Sequence, residues 1–563
     1  MMIRIDPGPA GKDHDMIRFP AFLPSGSLRS RGQISCLFFV LLFSFLEGQE
    51  LSERAVRYRP QDWITFSCMR DVHSIALGHD EVYFGTSGGI ARSHRFQNRW
   101  LFPFTVSDGL DDNVIRIVDY DHQTGLLWCS TRRGLNFYRS GTEQWRRVSY
   151  RTIPVDGVDR IGSGERALWI QKGDDIWQGD PWTFSFSVSS FEKAVQDRVQ
   201  WARTQPGDLP ATLILEGGYH WIENRVLDPL LRTFPVTVSA ADRFERMWIG
   251  TEGLGVLEVD TGVWTGRPIF FGPWTSRIDA MAWSDRGLWM GGEDPKGGIT
   301  HWDRERNQWT TFEARAFQGL LSHRVRQILD DGRRVWFATQ EGLAVYRKES
   351  GTWRTLTVFD NLPGNDILSL AHSGNHLWVG SSHGLSRVDA SENVEPVEEK
   401  GLTFVPFYFL ECRDSLLWAG TDRGIVEYRI PSGPWRWLQG HAGIMAHNIY
   451  VVSALENEVW FGTDDGVEVL DRAKNTWRGF PRAHYFQGDS IRTLLADHQT
   501  IWVGTQNGLI KYVKSENRWV RYTINDGLPD NRVSWLLLDG DYLWIGTRGG
   551  LVRFFWNAPY RID

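Results

Sequence analysis

One short pattern recurs along this chain and leaves it few folds to choose from: apolar, aromatic, apolar, small, Thr or Ser, two mostly polar residues, Gly, apolar. Its copies include VYFGTSGGI, LWCSTRRGL, MWIGTEGLG, VWFATQEGL, LWVGSSHGL, LWAGTDRGI, VWFGTDDGV, IWVGTQNGL and LWIGTRGGL. With weaker copies at Trp169 and Trp289, the aromatic positions are Tyr83, Trp128, Trp169, Trp248, Trp289, Trp336, Trp378, Trp418, Trp460, Trp502 and Trp544. They stand 40 to 47 residues apart, save one gap of 79. That gap is nearly two periods and holds a blurred copy at ATLILEGGYHWIE, which brings the count to twelve. Repeats of this length belong to solenoids and propellers.

Short-period alternation and turn residues divide each unit into four strands. Around Trp502 these are IRTLLAD, TIWVGT, GLIKYVK and, after a polar turn, NRWVRYT. The fourth carries a second aromatic about 17 residues after the first, as at Trp100, Trp145, Trp264, Trp309, Trp353, Trp435, Trp477 and Trp519. Four strands in about 42 residues is the geometry of a propeller blade. Gly134, Gly342, Gly384, Gly424, Gly466, Gly508 and Gly550 stand where a short hairpin needs positive φ. Gly250, Gly380, Gly462 and Gly504 stand where neighbouring sheets must approach closely. The repeated Trp is expected to pack between sheets rather than stack on a sugar, because an indole at one fixed place in nearly every unit is a large apolar wedge.

The fold class expected is therefore all-β, tandem β-propellers of about twelve four-stranded blades. A propeller ring closes by joining its last blade to its first. QDWITF at Trp63 resembles a fourth strand yet precedes the first full unit, and the chain ends soon after the third strand of the twelfth. Six blades plus six lets Trp63 complete unit six and the strand at Trp309 complete unit twelve. Seven plus five, and a nested scheme in which the N-terminal strand closes the last blade, are the alternatives. The expected domains are residues 1–49 as a signal region, 50–307 as the first propeller and 308–563 as the second.

The signal region rests on Ile34–Leu46, an apolar run of 13 preceded by Arg29 and Arg31 and followed by EGQE. It suits a signal-peptide core and is short of the roughly 20 residues that span a bilayer. Export to the periplasm or cell exterior is expected, with Met16 an alternative start, a retained N-terminal anchor the alternative fate, and no later membrane span. Of four cysteines, Cys36 lies in that run; Cys68, Cys129 and Cys412 read as isolated small apolar side chains, since no CxxC or Cys/His spacing supports zinc or a disulfide framework. Lys plus Arg is 62 against 69 for Asp plus Glu, well interspersed, which argues against nucleic acid.

LWIGTxxGL at about 42-residue spacing resembles the two-component regulator propeller repeat, over roughly Trp63 to Trp556. That repeat is found in periplasmic sensor regions of bacterial hybrid histidine kinases and in stand-alone exported proteins. The resemblance implies fold strongly and function weakly, because shared residues such as Trp378, Gly380 and Gly384 are architectural. No kinase or DNA-binding segment is present, so any kinase partner is encoded elsewhere.

Ligand sites on propellers are expected where the loops from strand two to three meet the connections between blades. Those connections are long and polar: VSDGLDDN, ARAFQGLLSHR, VFDNLPGND, GHAGIMAHN, AHYFQGDS and INDGLPDN. The residue about ten before each repeat aromatic should ring the channel mouth on this face. These are His73, Arg116, Asp159, Asp279, Arg326, Leu368, Tyr408, Tyr450, Arg492 and Ser534. Arg326 and Arg492 flanking Tyr408 and Tyr450 suit an anionic or sugar-like ligand, although a water-filled channel is polar for its own reasons. Asp108, Asp111 and Asp112 read as a solvated turn rather than a calcium site. No nucleophile elbow, phosphate loop or zinc signature occurs, so no catalytic residue, cofactor or metal is assigned. The function expected is non-catalytic recognition of a glycan or protein, with an envelope or secretion scaffold and a glycan-cleaving enzyme as alternatives.

Overall fold

The computed structural model describes residues 58–561, apart from 60, 98, 151–152, 154–156, 181 and 439–447. The apolar run with Cys36 and most of GHAGIMAHN therefore lie outside the described residues. Among the described residues the chain forms eleven sheets, antiparallel but for one short parallel pair, eight of them four consecutive strands in simple up-and-down order. The repeat Trp lies on the second strand of its sheet, and Trp128, Trp169, Trp336, Trp418, Trp502 and Trp544 are fully buried. The chain is an all-β protein of propeller architecture.

The small residue after each Trp is where neighbouring sheets meet. A Cβ on Gly250 would lie 2.6 Å from Val72, one on Gly380 2.7 Å from Phe407, one on Gly462 2.8 Å from Ile491 and one on Gly504 2.6 Å from Val533. In each case the obstacle belongs to the inner strand of an adjacent sheet. The Thr or Ser that follows has a separate task, closing the hairpin: its hydroxyl donates to the carbonyl of the Gly three residues on, as from Thr339 to Gly342 at 2.7 Å and Thr421 to Gly424 at 2.8 Å. Gly342, Gly384, Gly424, Gly466, Gly508 and Gly550 have the positive φ expected. Gly134 does not; it is held instead by Val148, whose carbonyl would lie 2.6 Å from an added Cβ.

The inner strand of residues 280–284 packs against that of 325–330, and contact passes in turn to 367–373, 407–413, 449–454, 491–496 and 533–539. The last returns to the first: Ile278 N–H donates to the Thr547 carbonyl at 2.9 Å, making a closed circuit of seven sheets. In the other sheets the inner strands contact in the order 160–163, 117–121, 72–77, 233–241.

Trp63–Phe66 pairs with Leu551–Phe555, in the register Trp63 to Phe554 and Phe66 to Leu551. The Trp63 indole stacks on Phe554 at 3.8 Å. This is the nested closure. The scheme in which Trp63 completes unit six is not formed, and neither is the one in which Trp309 completes unit twelve: Gln308–Phe312 stays in a hairpin with Ile299–Asp303. A strand that needs only backbone partners and an apolar face fits any open sheet edge, which is why the spare strand's destination was ambiguous.

The blurred twelfth copy makes no sheet of its own. Ile214–Leu215 lies parallel to Thr265–Ile269, and His220–Ile222 and Arg225–Leu227 extend the first half of Thr233–Ala241. Trp264, expected on a fourth strand, is exposed in a turn with φ 51°. Cys68, Cys129 and Cys412 are free thiols, and burial pushes all three up, Cys412 to about 12.

Candidate functional site

In eight sheets the inner strand slips register by one residue against the second strand, a β-bulge at the same place each time. The skipped residues are His73, Thr237, Arg326, Leu368, Tyr408, Tyr450, Arg492 and Ser534. A bulged residue is left out of the ladder and its side chain is re-aimed, a common device at sheet rims. Counting back from the repeat aromatic reaches the bulge at seven of the ten counted residues; Arg116, Asp159 and Asp279 precede strands whose register does not shift. Thr237 lies eleven residues before Trp248 because the turn between its first two strands is one residue longer.

The residues expected at the channel mouth do not form one site. His73, Arg116 and Asp159 belong to the sheets before residue 270; Asp279, Arg326, Tyr408, Tyr450 and Arg492 belong to the seven-sheet circuit. The His73 ring lies 3.0 Å from the Ser87 hydroxyl, and burial holds its pKa down. Arg116 is exposed. Asp159 accepts from Gly173 N–H at 2.8 Å and pairs with Lys172, which hold its carboxyl below the usual range.

In the seven-sheet circuit, two of the expected ligand groups are consumed internally. Arg326 Nε lies 2.7 Å from Glu293 and its Nη1 2.5 Å from Asp366, so both arms of the fork are occupied. Burial raises Glu293, but Arg326 and Arg277 outweigh it and hold the carboxyl below its ordinary value. Asp279 pairs with Arg277 Nε at 2.6 Å and accepts from Glu293 N–H at 2.9 Å; burial nevertheless holds it above the carboxylate range. Arg326 is thus a strut between sheets, not a free cation. Glu293 and Asp366 were missed by sequence reasoning. The one visible signal was that Gly292-Glu293 replaces the usual Thr and polar pair of the motif.

Tyr408, Tyr450 and Arg492 differ. They occupy consecutive bulges, on strands that pack in that order. The two phenol rings lie 5.6 Å apart and tilted by 44°, with Tyr450 and Arg492 exposed. Burial, with Asp464 close by, raises both phenol pKa values, so both stay neutral at physiological pH. Among the described residues the Arg492 guanidinium has neither an ion-pair nor a hydrogen-bond partner. The arrangement can do two things: offer aromatic faces and hydroxyls, and offer an unspent five-donor fork beside them.

The acidic connections are built for rigidity. Asp108, Asp360 and Asp526 each close a capping box or its equivalent, accepting from the N–H of Thr105, Thr357 and Thr523 at 2.9 Å. Asn113, Asn365 and Asn531 hold the next residue of the same turns. Asp111 accepts from Asn136 at 2.9 Å, and Asp112 from Val114 N–H at 3.0 Å, so the three neighbouring acids turn to different partners. AHYFQGDS, expected as loop, begins in a single helical turn, Arg482–Tyr485.

The family model for the two component regulator propeller matches residues 527–549, and the chain carries that repeat. No curated protein matches the sequence. Among solved structures, PorZ of Porphyromonas gingivalis, a surface component of the type-IX secretion system, is similar over 88% of this chain and 87% of its own, at 14% identity and TM-score 0.53. The extracellular domain of a putative one component system from B. thetaiotaomicron aligns over 88% of this chain and 71% of its own, at 16% identity and TM-score 0.44. That of a putative hybrid two component system from the same organism aligns over 84% and 73%, at 17% identity and TM-score 0.42.

Proposed function

We propose that this chain is an exported, non-catalytic recognition protein, and that it takes a glycan or a protein ligand at the mouth of the seven-sheet circuit. The reading treats the sheets of residues 72–269 as one smaller ring and the circuit of 280–555 with Trp63–Phe66 as another, in place of a division at 307/308. Its location is periplasmic or extracellular, in keeping with the apolar run near the N-terminus; among the described residues no helix is long and apolar enough to cross a membrane.

One observation carries it: Tyr408, Tyr450 and Arg492 stand on three successive bulges, the two rings exposing aromatic faces with the Tyr450 hydroxyl against Asp464 and the Arg492 guanidinium unpaired among the described residues, while Arg326 is spent on Glu293 and Asp366. Ligand groups held in bulges on a closed circuit are preorganised, which lowers the ordering cost of binding. The test is a glycan array and a binding screen against envelope proteins, with the intact chain and with Tyr408→Ala/Arg492→Ala. Loss of the bound species in the double variant, with Arg326→Ala folding less stably but binding whatever folded fraction remains, is the result expected. Unchanged binding in the double variant removes the site.

A second reading, a scaffold subunit of a cell-envelope or secretion assembly, has one observation in its favour. Trp182, Val188, Phe191 and Val195 are exposed together along the outer edge of the sheet at residues 160–201, where an apolar partner surface could dry them.

A further inference from the structure

At the opposite end of the sheets from the bulges, the turns after the first and third strands border a second feature. A cleft of about 900 Å³ opens between the sheet of residues 280–312 and that of 325–356, with the turn at Ala390–Glu392 closing one side. Small-molecule sites commonly occupy roughly 300–1,000 Å³. The cleft is lined by six cations and four carboxylates. Most of these neutralise one another: Lys348 lies 2.7 Å from both Asp285 and Asp330, Arg347 2.6 Å from Glu392, and Arg334 3.0 Å from Asp331. Arg286 and Arg333 do not. They stand at the tips of corresponding turns of the two sheets, exposed, and among the described residues neither guanidinium has a partner.

The wall between them is aromatic and hydrogen-bonding. His301 lies 4.5 Å from Trp289, its ring tilted by 31°, with Tyr346 against the same indole at 5.1 Å. The His301 Nε2 is buried with no hydrogen-bond partner, so the ring carries an unmet polar atom behind the cleft wall. Burial also holds the imidazole below its ordinary pKa, so it is neutral near pH 7 and offers one donor and one acceptor. Gln308 and Thr310, exposed on the same wall, add an amide and a hydroxyl.

We infer that this cleft is a binding site for a carboxylated saccharide, the carboxylate held by Arg286 and Arg333 and the hydroxylated ring by His301, Gln308 and Thr310. Guanidinium forks match carboxylates in geometry and charge, and a ring edged with hydroxyls uses a neutral imidazole and an amide better than an apolar ligand would. The site is separate from the mouth and does not rest on the reading of Tyr408, Tyr450 and Arg492.

The experiment is calorimetric titration of the intact chain with trigalacturonate, its methyl ester and AMP. Binding of the acid, at least tenfold weaker binding of the ester, and at least tenfold weakening in Arg286→Ala/Arg333→Ala are expected. Those side chains are exposed at turn tips, so the variant should keep the wild-type melting temperature. His301→Asn, which keeps a polar group, should weaken binding less than His301→Phe. The assignment is overturned if the acid does not bind, if acid and ester bind alike, if AMP binds as well as the acid, or if the Arg286/Arg333 variant is unaffected. Loss of binding in Tyr408→Ala/Arg492→Ala instead would move the ligand to the mouth.

Discussion

The repeat shows what each residue in it is for. In Gly504 the missing side chain is the point, because a Cβ would sit 2.5 Å from Thr493 and 2.6 Å from Val533. Gly504→Val should therefore cost at least the roughly 1–3 kcal/mol typical of overpacking and lower the melting temperature. Gly141→Ala, which would meet nothing within 4 Å, should leave it unchanged. Glu411, like Asp119 opposite Trp128, is an acid at an inner-strand position that faces the repeat Trp. It pairs in register with Trp418 where Leu329, Leu495 and Leu537 pair with theirs, and burial raises its carboxyl from 4.5 to about 7. Below about pH 4.5 the group is protonated whether the chain is folded or not, and nothing is lost. Between that pH and about 7 the unfolded chain releases the proton and the folded one retains it, so stability falls as pH rises. Glu411→Gln should match the wild type in denaturant titrations at pH 4 and exceed it by up to about 3 kcal/mol at pH 8. Equal stability at both values would show that the carboxyl ionises freely in the fold.

At the scale of strands and turns, the sequence was legible where periodicity reports burial and opaque where partners come from elsewhere. Trp336 and Trp502 could be placed because a fixed spacing of large apolar groups has one economical explanation, packing between sheets. The bulge positions could be counted because the register of a second strand fixes that of the first. That Arg326 is spent could not be read, since Glu293 and Asp366 reach it from different sheets and no local pattern joins them. Nor could the fate of ATLILEGGYHWIE, in which Ile214–Leu215 pairs with a strand of the following unit and His220–Ile222 with the adjacent Arg225–Leu227. The connections were read as polar loops, and the order within them comes from single acceptors. Asp360 accepts from both the N–H and the hydroxyl of Thr357. Asp360→Ala should cost about 1 kcal/mol, by analogy with lost helix caps, and speed hydrogen exchange at Val358–Asn361 without changing exchange in the flanking strands. Uniform exchange across the loop in the wild type would contradict the cap.

For the whole molecule, the decisive fact is where the first strand goes. With Trp63–Phe66 paired to Leu551–Phe555, the seven-sheet circuit contains both ends of the described chain, and the sheets of residues 72–269 are carried between its first strand and the rest. Arg561 and Tyr560 reinforce the join by meeting Asp62, which is itself buried. Closure of this kind ties the mouth residues into one rigid frame: a ligand held by Tyr408, Tyr450 and Arg492 depends on sheets whose ring is completed by a strand nearly five hundred residues away in sequence, as Trp63 is from Phe554. The most direct test is the covalent one. In Thr65→Cys/Val552→Cys the substituted positions face each other across the two strands, and mild oxidation followed by peptide mass mapping should give one linked peptide joining them, with a raised melting temperature. Both introduced thiols remaining free and alkylatable in the folded protein would contradict the closure, and with it the frame on which the proposed site stands.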